Sequence, residues 1–463
     1  MSESSHLSAA SAVRTKLSVM MFLQFFIWGA WYVTVGNFMK AHGMFDEIFW
    51  AYTVGPIAAL ISPFFLGVVA DRFFPSEKVL GVLHLLGAAA ILCAPLAASV
   101  SGFWFIIALL AHMLCYIPTL GLTNSLAFHN MENQEKDFPL VRVFGTIGWI
   151  VANWVVSGLF KADFSPVQFY ITGVAAAALG VYSFMLPHTP PPAKGKAFSI
   201  REVVGVDALS LLKQPSFAVF VLCSFLICIP LAAYYAYAPV FVGKVGYGQV
   251  ASVMLWGQIS EIFFMLLIPL CFARLGVKWM LAVGMAAWVL RYGLFAAADT
   301  SNVQWMVFLG ILLHGICYDF FFVTGFIYTD KKCSKDIRAQ AQGFLVLVTQ
   351  GLGLGIGAQL IGRIVGRYTP AEAASLQSES GELAREAFGM TDTAAAEPLF
   401  QKANELASQA NRMLEWQSIW LIPCLMAGAI LVVFVLFFRD RSVDEASVGD
   451  EDVAAAAAAD EIP

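Results

Sequence analysis

The chain of 463 residues is 59% hydrophobic and 13% charged, with a net charge of −5 and a mean hydropathy of +0.74. Soluble domains carry about 25% charged residues, so this composition describes an integral membrane protein in a lipid bilayer, and its acids, gathered in the tails and one late loop, offer nothing to a nucleic acid. No HExxH, GxSxG, CxxC or nucleotide-binding pattern occurs, which leaves ATP-driven pumping and most enzyme chemistry without their motifs.

Residues 1–16 are polar, lack a small-residue cleavage site after the first apolar run, and read as a cytoplasmic tail rather than a signal peptide. Windows of about 20 apolar residues then predict twelve spans, at 17–39, 48–70, 79–98, 102–128, 141–160, 166–187, 215–242, 250–272, 278–298, 303–328, 339–366 and 416–438. Span 1 places Gln24, Trp28 and Trp31 at i, i+4, i+7, on one face. Aromatic rings beside an amide suit a ligand with a flat ring and hydroxyls; helix packing accounts for them equally well. In span 4, Pro118 and Gly121 loosen the helix after Tyr116. Span 5 opens with Arg142, Thr146 and Trp149 on one face. Arg142 is either a permanent cation in a cavity or an anchor snorkelling to the surface.

The stretch 188–214 is the long central polar segment, with His188-Thr-Pro-Pro-Pro and four basic residues, and reads as a cytoplasmic linker between halves 17–187 and 215–438. Span 7 holds Tyr234, Tyr235 and Tyr237 between Pro230 and Pro239, a pattern of phenols lining a passage beside a broken helix, or of interface tyrosines. Span 8 has one ionisable residue, Glu261, near the middle of the run from Val250 to Phe272, with Gln258 on the same face. A charge there costs roughly 3 kcal/mol, so Glu261 faces a wet cavity, a partner or a proton; the alternative is an interhelical clamp. Arg291 in span 9 reads as structural. Span 10 carries a second acid, Asp319, with Tyr318 beside it and His314 five residues earlier. Intramembrane acids of this kind take up and release protons in relays, or pair with a donor. Gly351/Gly355 and Gly353/Gly357 in span 11 allow close helix packing.

Segment 367–415 is expected outside the cytoplasm with one or two surface helices, and 439–463 as a disordered tail. Eighteen Lys and Arg residues, from Arg14 to Arg441, fall on the side that holds both termini, against Lys40, Lys161 and Lys244 in the short loops opposite. The positive-inside rule therefore puts both termini in the cytoplasm. The eight cysteines form no CxxC and read as packing residues, and no metal site is expected.

The halves echo one another. Asp71-Arg72 after span 2 has a counterpart at Arg274 and Lys278 after span 8, and Tyr116 in span 4 has one at Tyr318 in span 10. An all-α membrane protein of twelve helices in two sixes is the major facilitator architecture, with substrate held at midplane between the halves. Gly67-x-x-x-Asp71-Arg72 resembles the start of that superfamily's loop motif, but Phe73-Phe74-Pro75-Ser76 replaces its later glycine and basic pair.

Across residues 17–440 the chain resembles the bacterial nucleoside:proton symporters. The matching pieces are Phe22-Leu23-Gln24-Phe25 with Trp28-Gly29, Tyr116-x-Pro118-Thr119-Leu120-Gly121-Leu122, and Phe138-Pro139 with Arg142-x-x-Gly145-Thr146-Ile147-Gly148. They continue with Gln258-Ile259-Ser260-Glu261, Trp288-x-Leu290-Arg291, Asp319-Phe320-Phe321 and Ile337-Arg338-Ala339-x-Ala341-Gln342-Gly343. The resemblance implies a uridine-like ligand bound through Arg142, Thr146, Gln258 and Glu261, with Trp149 and Tyr318 supplying rings where relatives have Phe. It implies Asp319, with Glu261, in proton coupling. Span 7 departs from the family, which has a Gln and an Asn about where Ala232 and Tyr235 stand; Tyr234 or Tyr235 offers a phenol hydroxyl instead. Gln24, Trp28, Trp31, Tyr234 and His314 are further candidates for the cavity wall. The expected protein is a monomeric inner-membrane importer of nucleosides, driven by the proton gradient without a cofactor. The rival readings are a carrier of sugars or nucleobases, and a sensor or efflux protein on the same fold.

Overall fold

The computed structural model describes residues 3–65, 73–131, 134–191, 206–301, 303–334, 337–390 and 393–439. The Asp71-Arg72 motif, most of the linker and the tail from 440 lie outside them. The first half comprises α1 (Glu3–Tyr32), α2 (Val35–Ala41), α3 (Ile48–Phe65), α4 (Ser76–Val100), α5 (Gly102–His129), α6 (Gln134–Asn153) and α7 (Val167–Ser183). The second comprises α8 (Pro215–Lys244), α9 (Val250–Ser301), α10 (Gln304–Leu312), α11 (His314–Tyr318), α12 (Thr324–Lys332), α13 (Arg338–Val346) and α14 (Leu354–Arg367). It ends with α15 (Ala371–Gly389), α16 (Thr393–Met413) and α17 (Trp416–Phe437). Helices alone can cross lipid as separate segments, because each satisfies its backbone polar groups internally.

By length and apolar composition, nine helices among the described residues are fit to cross a membrane, not twelve. The difference has local causes. Spans 8 and 9 run on as one helical segment, α9, which turns at Gly276; its φ of 63° is a left-handed conformation that glycine adopts without strain. The apolar helix α7 is short, and α3 reaches the edge of the described residues at 65. Span 7 is not broken: α8 runs through Pro230 and Pro239 over 30 residues, as membrane helices allow when neighbours re-satisfy the freed carbonyls. Tyr292 of α9 also ties down this stretch, its hydroxyl donating to Pro230 O at 2.7 Å.

Among the described residues, three π-helical turns, Trp154–Leu159, Asp319–Val323 and Leu347–Gly353, continue α6, follow α11 and join α13 to α14. Such turns recur at functional sites. Next to the second of them, α11 presses on α9. A Cβ at Gly315 would lie 2.5 Å from Ser260 O and 2.7 Å from Glu261 N, and Gly315 N donates to Ser260 Oγ at 3.0 Å. That contact fixes where Glu261 sits.

Several contacts join the two halves at one end of the bundle. Asp163, in the loop before α7, accepts from Ala251 N at the start of α9 at 2.9 Å, and Ser157 Oγ donates to the same carboxylate at 2.8 and 3.0 Å. A first-half side chain therefore caps a second-half helix. Nearby, Gln359 of α14 donates to Thr53 of α3 at 3.0 Å. The paired helices α15 and α16 belong to the second half, yet Gly381 of α15 touches Gly43 beyond α2, backbone against backbone. Asn411 of α16 donates to Val240 O of α8 at 3.2 Å, so this pair of helices bridges both halves.

The Asp163 cap makes a testable case. Asp163→Ala is expected to weaken closure of this end by about 1 kcal/mol, roughly a fivefold shift in population, read as spin-label distances across the halves. Burial raises the Asp163 carboxyl above its ordinary 3.8, against the pull of its hydrogen bonds from Ala251 and Ser157. A raised value means that the docked state binds the proton more tightly. That share of docking is therefore complete below the ordinary carboxylate range and is lost as pH rises through the raised value. The wild-type distance distribution should open with rising pH, and that of Asp163→Ala should stay flat.

Candidate functional site

A cavity of about 240 Å³ lies between the halves. From the first half come Phe25, Trp28 and Tyr32 of α1, and Arg142, Thr146 and Trp149 of α6. From the second come Tyr235 of α8, Gln258 and Glu261 of α9, His314 and Tyr318 of α11, and Gln350 of the third π-helical turn. The helical period accounts for the α6 and α9 residues, since positions three or four apart share a face.

One wall is aromatic. Trp28 meets Trp149 edge-on with centroids 5.6 Å apart, and Tyr32 lies 6.0 Å from Tyr235. Tyr32 also packs on Tyr52, 5.1 Å away. The other wall is polar. The Arg142 guanidinium rests on the Phe25 ring, 4.2 Å from its centroid, and lies within electrostatic range of Glu261 across the cavity. His314 Nε2 is 3.9 Å from Glu261 Oε2. Rings on one side and a cation, a carboxylate and amides on the other match a ligand with a flat base and a hydroxyl-bearing sugar.

The structure thus brings together Arg142, Thr146, Trp149, Tyr235, Gln258, Glu261 and Tyr318, with Trp28 and His314 among them. Four candidates lie elsewhere. Gln24 is fully buried: its Nε2 donates to Thr119 at 2.7 Å, its Oε1 accepts from His84 Nε2 at 2.8 Å, and its backbone O accepts from Tyr116 at 2.7 Å. It clamps α1 to α4 and α5 and does not face the cavity. Trp31 is buried against His112 at 5.9 Å; Tyr32, one residue on, takes the cavity position. Tyr234 lines a narrower side pocket that shares Tyr32, Trp149, Tyr235 and Gln258 with the cavity. Asp319 is fully buried off the cavity, at the head of the second π-helical turn and within electrostatic range of Glu261. Neither of its oxygens has a hydrogen-bond partner among the described residues.

Sequence reasoning missed Phe25, Tyr32 and Gln350. Gln350 carried the signal that found Gln258, a lone amide in an apolar run, but the glycines around it drew the reading to packing. Those glycines do pack: a Cβ at Gly357 would meet Ile229 and Ala232 of α8, and one at Gly355 would meet Pro56 of α3.

Two packed sets of apolar helices around one central cavity with polar groups from both define a multi-pass secondary transporter of the major facilitator type. The chain belongs to the nucleoside H+ symporter family, which its residues 11–379 match; it is a proton-coupled transporter and not an enzyme. It is 39% identical over 450 residues to YegT of Escherichia coli (strain K12), whose name assigns it provisionally to nucleoside transport, covering 95% of this chain and 97% of that one. It is 32% identical over 374 residues to the nucleoside permease NupG of Escherichia coli (strain K12), covering 77% and 89%. The crystal structure of the nucleoside transporter NupG superposes with a TM-score of 0.75 at 28% identity, over 92% of this chain and 99% of that one.

Proposed function

We propose that the chain imports a nucleoside such as uridine together with a proton, by alternating access, as a monomer in the inner membrane with both termini in the cytoplasm. The proton gradient is the energy source and no cofactor takes part. The observation that carries this reading is the cavity in which Arg142, Thr146 and Trp149 of one half face Tyr235, Gln258, Glu261 and Tyr318 of the other. Trp149, Tyr235 and Tyr318 flank the base. Gln258 and Glu261 take ribose hydroxyls or base amides, and Arg142 and Thr146 complete the polar side. A ligand bridging both halves stabilises the arrangement in which they close on it.

Asp319 carries the coupled proton alongside Glu261. A buried carboxyl without a hydrogen-bond partner fits its site better neutral than ionised, so its charging and the rearrangement of its π-helical turn go together. Asp319→Asn, which keeps the shape and removes the exchangeable proton, should abolish accumulation against a gradient and leave uridine binding measurable. Retained accumulation would remove Asp319 from coupling.

The first experiment is uptake of radiolabelled uridine into proteoliposomes under an inward proton gradient, with and without a protonophore. Gradient-dependent, protonophore-sensitive uptake is expected. No uptake by folded protein would overturn the uridine assignment and direct the assay to nucleobases and sugars.

A further inference from the structure

Behind Glu261 a second titratable group is built into the cavity wall. His314 is 4% exposed, and its Nδ1 has no hydrogen-bond partner among the described residues. Its Nε2 lies 3.9 Å from Glu261 Oε2. Tyr234 of α8 lies nearly parallel to the imidazole, with centroids 5.5 Å apart and 17° between planes. Against that Tyr234 ring sits the guanidinium of Arg291 from the second arm of α9, 4.1 Å from the centroid. Arg291 is fully buried; its Nε donates to Gly310 O at 3.0 Å, and Nη1 and Nη2 have no partner among the described residues.

The titratable and charged groups around His314 are therefore Tyr234 from α8, and Glu261 and Arg291 from the two arms of α9. From its own helix come Cys317 and Tyr318, the latter 6.0 Å away, with Asp319 just beyond. Arg142 faces Glu261 from the other half.

Glu261 thus has two nitrogen-bearing neighbours of different kinds. Arg142 belongs to the first half, so its distance from Glu261 changes whenever the halves rock against each other. His314 belongs to the same half as Glu261 and is locked to it by the Gly315 contact with Ser260 and Glu261, so that pair travels as a unit. Arg142 is a permanent cation, whereas an imidazole gains and loses a proton near neutral pH. When the halves separate and Arg142 withdraws, the neighbour left to balance Glu261 is the one that can bind a proton.

Resting on the symport reading above, we propose that His314 and Glu261 share the transported proton as an imidazole–carboxylate pair on its path to and from Asp319, with the Tyr234–Arg291 stack fixing the imidazole plane. On the loading side the pair takes one proton from water and passes from a net charge of about −1 to about zero, with the proton on Nε2 or on the carboxyl. On the other side it returns that proton to water. Arg291 and Tyr234 act through His314 and are positioning residues.

The test compares wild type with His314→Gln, which keeps a hydrogen-bonding side chain and loses the titrating ring. Uridine counterflow, an exchange needing no net proton movement, is measured beside accumulation so that any loss of binding at the cavity wall is divided out. Relative to counterflow, accumulation driven by an inward proton gradient should fall at least about tenfold and lose its pH profile. Wild-type accumulation and an unchanged pH profile in folded His314→Gln would overturn the pair. Should His314→Gln not yield folded protein by gel filtration, His314→Asn is read by the same two assays against the same criteria. Wild-type protein that takes up no uridine under any gradient would overturn the symport reading and this proposal together, whereas driven wild-type uptake that His314→Gln leaves untouched overturns the pair alone.

Discussion

Glu261→Gln is expected to abolish proton-driven uridine accumulation and to weaken uridine binding about 10- to 100-fold. The substitution keeps the shape and removes the negative charge. A hydrogen bond to a charged group is worth about 1.5–3 kcal/mol, and about 1.4 kcal/mol is tenfold in affinity. Glu261 is the carboxylate that lines the cavity between Arg142 of one half and His314 of its own, so the loss acts on the ligand and on the balance of charge across the halves. Uridine binding measured by calorimetry and accumulation in proteoliposomes separate the two effects. Wild-type accumulation in Glu261→Gln would remove Glu261 from both roles.

The second large effect is on folding. Gly315→Ala places a methyl group within 2.7 Å of three backbone atoms, Ser260 O, Ser260 C and Glu261 N. Backbone cannot turn aside as a flexible side chain can, so α9 and α11 must separate. Overpacking costs about 1–3 kcal/mol in well-packed cores, and the shift moves Glu261 relative to His314 as well. The thermal midpoint of detergent-purified protein should fall, and transport should fall with it. Gly428→Ala in α17, where nothing lies within 4 Å of the new Cβ, is the matched control and should leave both unchanged. Equal midpoints for the two variants would show that the seam yields easily.

Much of the cavity was legible because a polar side chain in an apolar run has few ways to exist. Gln258, Glu261 and the Arg142–Thr146–Trp149 face were found on that ground, and all of them line the cavity. For Gln24 the packing alternative holds, through partners Thr119 and His84 that lie 95 and 60 residues away; no local pattern reports a hydrogen bond that only the fold can make. Trp31 and Tyr32, at i+3 and i+4 from Trp28, sit on either side of the same stripe, and periodicity does not separate them. The chain's path through Pro230 and Pro239 was read as a break, yet α8 stays continuous there. The Asp163 cap left no sequence signal. A lone acid in a short loop looks solvated until another half of the molecule supplies the helix it caps.

That end of the bundle also bears on speed. The Asp163–Ala251 cap, the Thr53–Gln359 bond and the Gly43–Gly381 touch join surfaces that must part and rejoin once for every solute molecule carried. Their combined strength therefore enters the turnover number through the opening barrier. Weakening them quickens the cycle only until the seal begins to leak protons, so the fastest version of this carrier is not the most firmly shut one.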